Sequence, residues 1–157
     1  MLLAFQLAVP FSARFADVTN GRYVAPRTPV DAPHGTVTGM PESERSAFVL
    51  HEHHKPRHHF DLRLEESGVL RSWALPKGVP TDPSSDRLAV EVADHALDHL
   101  EYEDADKSIA DIGWWEDEDR NERRMLFTLH GREFSVRYAL ICTGRDWLLH
   151  RTKDQPA

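Results

Sequence analysis

Apolar residues in this chain recur at every second position or in short runs, and no stretch carries the three-and-four spacing of a convincing amphipathic helix. The clearest alternation runs from His59 to Glu65. There Phe60, Leu62 and Leu64 fall on one face of an extended strand, while His59, Asp61, Arg63 and Glu65 fall on the other. Ala47-Phe48-Val49-Leu50 is a short apolar run just upstream, and its Phe and Val favour a strand. Glu66-Ser67-Gly68 predicts a turn, Val69 to Leu75 the returning strand of a hairpin, and Pro76 to Pro80 its break.

Arg87 to His95 predicts another strand, with Leu88, Val90 and Val92 on one face and His95 at the end of the opposite row. Ile109 to Trp115 predicts a short strand between two charged stretches, Asp98 to Asp106 and Glu116 to Arg124, that read as solvated loops. Met125 to Ile141 reads as strand, turn, strand, and Trp147 to His150 as a last strand. Several short strands separated by turns indicate a mainly all-β fold, a barrel or a sandwich, with few short helices. No internal repeat, P-loop or GxSxG elbow is present.

Residues 1 to about 46 are poorly patterned and contain Pro26, Pro29, Pro33 and Pro41, so an irregular arm is expected over 1–46 and a β domain over 47–157. A length of 157 residues suits one core-forming domain. The start, Met1 to Pro10, superficially resembles a secretion signal but lacks a basic n-region. No run approaches the roughly 18 to 20 apolar residues that cross a bilayer, so a cytoplasmic protein without membrane association is expected.

The net charge of -7 argues against a protein that coats nucleic acid nonspecifically, since that affinity comes from many cation to phosphate contacts. The charge is segregated: Glu101 to Glu122 is acidic, whereas His51 to Arg63 is locally basic. The single cysteine, Cys142, excludes an intramolecular disulfide and a CxxC metal site, and at the end of an apolar run it is expected to be a small buried side chain.

The densest chemistry lies in His51-Glu52-His53-His54-Lys55-Pro56-Arg57-His58-His59-Phe60-Asp61, which holds five of the ten histidines. Imidazole and carboxylate are good ligands for Mn²⁺, Zn²⁺ or Fe²⁺, and residues two apart on a strand reach one ion from the same side. His59 and Asp61 have that spacing, and a bend at Pro56 can return His53 to the same ion. His51, His54 and His58 are expected to face solvent, because one ion does not use five imidazoles. Arg63 continues the ligand face, and a fixed guanidinium beside a cation suits a phosphate. Lys77, between a proline and a glycine, is placed to reach a phosphate or to be an ordinary surface lysine; His130, beside Gly131, is expected to be structural. The competing reading of the histidine-rich stretch is a solvated loop with adventitious metal affinity.

The ordered series His53-x5-His59-x-Asp61-x-Arg63-Leu64-Glu65, Gly68-Val69-Leu70-x-Ser72-Trp73-Ala74-x-Pro76-Lys77-Gly78, Arg87-Leu88-Ala89-Val90 and Asp94-His95-x-Leu97-Asp98 resembles the 3'-phosphoesterase domain of bacterial DNA ligase D and its stand-alone relatives. The resemblance extends over about residues 47 to 153. It implies a compact β-barrel that, with manganese, trims a 3'-terminal ribonucleotide and removes a 3'-phosphate from DNA ends, leaving a 3'-OH for a ligase or polymerase supplied in trans. It also implies metal ligation by His53, His59 and Asp61, phosphate contact and catalysis by Arg63 and His95, and support of the phosphate by Lys77 and Arg87.

The chain departs from that pattern at Ala93, where the family carries an acidic residue, and at His99, where it carries a tyrosine. The N-terminal Arg-Asp-Phe and Pro-Glu-Pro signature is absent from residues 1–46, and Asp104 to Ile112 replaces a Pro-Glu-Gly-rich turn. A catalytically weakened module that binds DNA ends or repair proteins is therefore the alternative function.

Overall fold

The computed structural model describes residues 41–157; the expected irregular arm lies outside the described residues up to position 40. A single 3-10 turn, Glu42–Glu44, leads into eight strands: β1 (Ser46–His53), β2 (His59–Glu66), β3 (Val69–Leu75), β4 (Arg87–His95), β5 (Lys107–Asn121), β6 (Arg124–His130), β7 (Ser135–Cys142) and β8 (Trp147–Arg151). They close antiparallel in the order β1-β2-β3-β4-β8-β7-β6-β5, so the all-β fold is a barrel and not a sandwich. Closure leaves no free strand edge to recruit another chain.

The interior is filled by the apolar rows of the strands. Phe48, Leu62, Leu64, Trp73, Leu75, Phe127, Leu140 and Leu149 are fully buried there. Full burial of one such side chain contributes about 1.5–3 kcal/mol, so these rows hold the register of each strand. β2 follows its alternation, with Leu62 and Leu64 inward and the polar row outward.

Three expectations are corrected. Glu116 to Asn121 is strand and not loop: β5 runs to Asn121 and pairs with β6 across a bulge between Asp117 and Asp119. Partners neutralise its charges, with Arg120 bonded to Asp117 and Glu66, and Arg137 to Glu118, so the ladder extends through an acidic sequence. On β4 it is Ala89 that joins the core while Leu88 is 44% exposed, because Ala89 shares the inner row with Trp147 of β8. Cys142 is a free, half-buried thiol at the end of β7, one residue beyond an outward Ile141, and not a buried filler.

A 3-10 helix, Leu97–Glu101, follows β4 and packs on β1 and β3. It covers part of the barrel's outer wall, which gives polar residues there a second buried environment. His130 stacks on Trp114 with ring centroids 3.7 Å apart, consistent with a structural role.

Candidate functional site: a buried His, Asp and Arg cluster on the outer wall

Residues opposite one another in antiparallel strands share a face. His53 stands opposite His59 on β2 and opposite Lys107 on β5, which makes one row across three strands. The next row pairs His51 with Asp61, and a third pairs Arg63 with Ser72. All point away from the core row of Phe48, Leu50, Leu62 and Leu64, so the candidate site lies on the outer wall.

His53 Nε2 lies 3.0 Å from Asp61 Oδ2, and His59 Nε2 lies 3.9 Å from Asp61 Oδ1. The two imidazoles stack with centroids 4.6 Å apart, and one ligand atom from each of the three residues falls within 4.8 Å of the others. His59 Nδ1 donates to the Arg57 carbonyl at 2.8 Å, which leaves the Nε2 lone pair free toward Asp61. His53 Nε2 is buried and, although close to Asp61 Oδ2, is not aligned for a hydrogen bond with it. Burial, partly countered by Asp61, holds the His53 pKa below its usual range, so this imidazole is neutral. Two imidazoles and a carboxylate with an orphaned buried nitrogen fit a divalent transition-metal ion, to be held by His53, His59 and Asp61.

Arg63 is 2% exposed. Its Nη2 donates to Asp61 Oδ2 at 2.8 Å, its Nη1 to Ser72 Oγ at 2.9 Å and to His95 Nδ1 at 2.7 Å, and its Nε to His51 Nδ1 at 3.3 Å. Four of the five guanidinium hydrogens are thus engaged, and one on Nη2 remains. The Ser72 hydroxyl donates to the Leu70 carbonyl at 3.0 Å and so accepts from Arg63. The His95 proton then sits on Nε2, because Nδ1 accepts from Arg63. Burial first, then Arg63 and His99, depress the His95 pKa, which keeps the ring neutral.

His51 is fully buried, which overturns its expected solvent exposure. It has the same strand parity as His53, and it serves Arg63 instead of taking a place among metal ligands. Burial, then Lys107 and Arg63, push its pKa from 6.5 down to about 4; the Tyr102 carbonyl pulls the other way without completing a hydrogen bond. His54 and His58 are exposed, as anticipated.

His95 reaches this face through a β-bulge. Ser72 pairs with Val92, yet Leu70 pairs with His95, so β4 carries one extra residue at Ala93–Asp94. Strict alternation assigns His95 to the row opposite Val92; the bulge turns it onto the Val92 side, beside Ser72 and Arg63. His99 then packs edge-on against His95, with centroids 5.1 Å apart.

Lys77 and Arg87 are not hydrogen-bonded to this cluster. Lys77 is exposed in the turn after β3; Arg87 begins β4 opposite Leu149, on the inner row at the strand end far from His95. Sequence reasoning missed Ser72 and Lys107. Ser72 was legible in the hairpin register, directly opposite Arg63 on the adjacent strand. Lys107 was not, since only the β1–β5 pairing sets it beside His53. Lys107 is buried, its ammonium lies 4.9 Å from the Tyr102 ring centroid, and it makes no ion pair among the described residues. Burial and Arg63 lower its pKa. Beside His59 a pocket of about 550 Å³ opens between Pro56, Arg57, His58, Ala74 and Pro76.

Fold and site together define a closed antiparallel β-barrel with a polar cluster of imidazole, carboxylate and guanidinium groups on its outer wall. Residues 51–142 match the family described as the DNA Ligase D 3'-phosphoesterase domain. The chain belongs to that family. It is 42% identical over 129 residues to a multifunctional non-homologous end joining protein LigD of Mycolicibacterium smegmatis, a match covering 69% of this chain and 17% of the relative. Similarity to the corresponding DNA repair protein LigD of Mycobacterium tuberculosis is 38% over 149 residues, covering 85% and 20%, and to LigD of Pseudomonas aeruginosa 36% over 129 residues, covering 70% and 15%. The chain spans a fifth or less of the length of these relatives. Among the described residues no helix is long and apolar enough to cross a membrane.

Proposed function

We propose that the protein heals DNA 3' ends in end-joining repair, as a manganese-dependent phosphoesterase that removes a 3'-phosphate or a 3'-ribonucleotide and leaves a ligatable 3'-OH. The observation that carries this reading is the convergence of His53, His59 and Asp61 on one point, with Arg63 tying Asp61 to His95. Family membership supports it independently.

His53, His59 and Asp61 would hold a divalent ion that, when bound, would supply Lewis-acid charge to the phosphoryl group. Arg63 holds the Asp61 carboxylate in place, and its remaining Nη2 hydrogen is available to a phosphate oxygen. His95 offers Nε2–H to a phosphoryl oxygen or to the departing 3'-oxygen. A second proton, on Nδ1, would face the Arg63 donor at 2.7 Å, so His95 acts as a neutral hydrogen-bond donor and not as a cationic acid. Lys107, beside His53 and free of ion pairs, adds positive charge where the phosphate gathers negative charge in the transition state. The pocket beside His59 receives the terminal sugar. Its exposed Lys77 neighbour is free to follow the strand that enters, and a ligase or polymerase in trans takes over the product end.

The test is incubation of the purified chain, with manganese and with chelator, on a primer-template ending in a 3'-phosphate or a single 3'-ribonucleotide, alongside His59→Ala. Manganese-dependent conversion to a 3'-OH, absent in the variant, supports the enzyme. Unconverted ends that are nevertheless bound point to an end-binding module, the reading favoured by Ala93 at the bulge and His99 against His95.

A further inference from the structure

The turn between β1 and β2 carries a second set of ligands that the site above does not use. Glu52, His54 and His58 each present one ligand atom within 4.8 Å of the other two. Glu52 and His53 are consecutive on β1, so their side chains leave the strand on opposite faces. His58 and His59 are consecutive as well. The two groups share no residue and stand on either side of the same short turn.

We propose that Glu52, His54 and His58 form a second metal site, for a borderline divalent transition-metal ion such as Zn²⁺, whose occupation clamps the turn that orients His59. Two imidazoles and one carboxylate select such an ion over Mg²⁺ or Ca²⁺, which take oxygen ligands. The ligands are already organised. His58 Nε2 lies 2.6 Å from Glu52 Oε1, a contact that bridges the turn. The His54 and His58 rings are nearly parallel, at 10°, with centroids 6.1 Å apart. Two anchors hold them: the His54 backbone N–H donates to the Asp106 carbonyl at 2.8 Å, and the His58 ring packs edge-on against Phe60 at 5.3 Å. His54 and His58 are exposed and Glu52 is half-buried, so their side chains can close to the bond lengths of about 2.0–2.2 Å that zinc requires while solvent completes the coordination.

The consequence for the first group follows from chain connectivity. An ion tying Glu52 to His58 fixes both ends of Lys55-Pro56-Arg57, and the Arg57 carbonyl is the group that accepts from His59 Nδ1. The clamp, though not the second site itself, rests on reading His53, His59 and Asp61 as metal ligands. Coupling of this kind is reciprocal, so each ion raises affinity for the other.

Equilibrium dialysis of the full chain against Zn²⁺, with bound metal counted per chain, tests the proposal. Wild type is expected to bind two ions, His54→Ala/His58→Ala one, and His53→Ala/His59→Ala one; Glu52→Gln is expected to weaken the site on the turn most and, through the clamp, the other site to a lesser degree. The ion kept by His54→Ala/His58→Ala should bind several-fold more weakly than the same ion in wild type. Circular dichroism establishes that each variant keeps the barrel. The second site is overturned if His54→Ala/His58→Ala binds as many ions as wild type, or if His53→Ala/His59→Ala, still folded, binds none. One ion lost only in His54→Ala/His58→Ala leaves the second site standing and removes the first. Unchanged affinity of the remaining ion overturns the clamp.

Discussion

Nη1 of Arg63 lies 2.7 Å from Nδ1 of His95, joining residues 32 positions apart in the chain. That contact links β2 to the end of β4, and through the Arg63 to Asp61 bond it ties His95 to the proposed metal ligands. It makes Arg63 a scaffold first, with one Nη2 hydrogen left for the proposed phosphate contact, since the others are already engaged.

Arg63→Ala should therefore cost stability as well as activity. It leaves the Asp61 carboxylate nearly buried without its counter-charge, a loss of about 3–5 kcal/mol in the chelated protein. Manganese should restore part of that loss by replacing the missing positive charge. Urea denaturation with and without metal measures it; equal losses in both conditions would contradict metal binding at Asp61.

His51 makes the metal-free barrel acid-sensitive. Its pKa falls from 6.5 to about 4 on folding, so the unfolded chain binds its proton more readily. Stability is complete above the unfolded value and declines as pH drops from about 6.5 toward 4, by about 3 kcal/mol in all. His51→Gln keeps an acceptor for Arg63 Nε and does not titrate, so denaturation midpoints between pH 7 and 4 should flatten in that variant.

Lys107→Met keeps the buried stem and removes the charge. The expected result is an unchanged or higher melting temperature together with a rise in KM or fall in kcat of about tenfold on a 3'-phosphate end, equivalent to roughly 1.4 kcal/mol. Steady-state kinetics decide the matter, and wild-type kinetics in the variant would remove Lys107 from the phosphate site.

Deleting Ala93 removes the extra residue of the β4 bulge and leaves His95 two positions after Val92. Simple alternation then keeps His95 on the Val92 face, opposite Leu70 and beside Arg63. The barrel should persist by circular dichroism, and 3'-phosphate release should stay within about tenfold of wild type. A drop of about 100-fold or more, the order associated with loss of a transition-state donor, would show that the bulge sets more than the face on which His95 emerges.

What the sequence by itself determined is local. The alternation from His59 to Glu65 fixed which side chains of β2 face inward, and it put Asp61 and Arg63 on one outer row, because a strand has a period of two and Leu62 and Leu64 must be buried. It also marked the hairpin at Ser67-Gly68, where both residues take positive φ. Tertiary structure decided the rest. The burial of His51 and Arg63 depends on a 3-10 helix that covers the outer wall, and no pattern within β1 or β2 announces that cover. The place of Lys107 depends on the β1–β5 register, and the side on which His95 emerges depends on one unpaired residue in β4. Register and bulges are set by the sum of contacts between strands distant in sequence, so they are written in the closed barrel and not in any one segment of the chain.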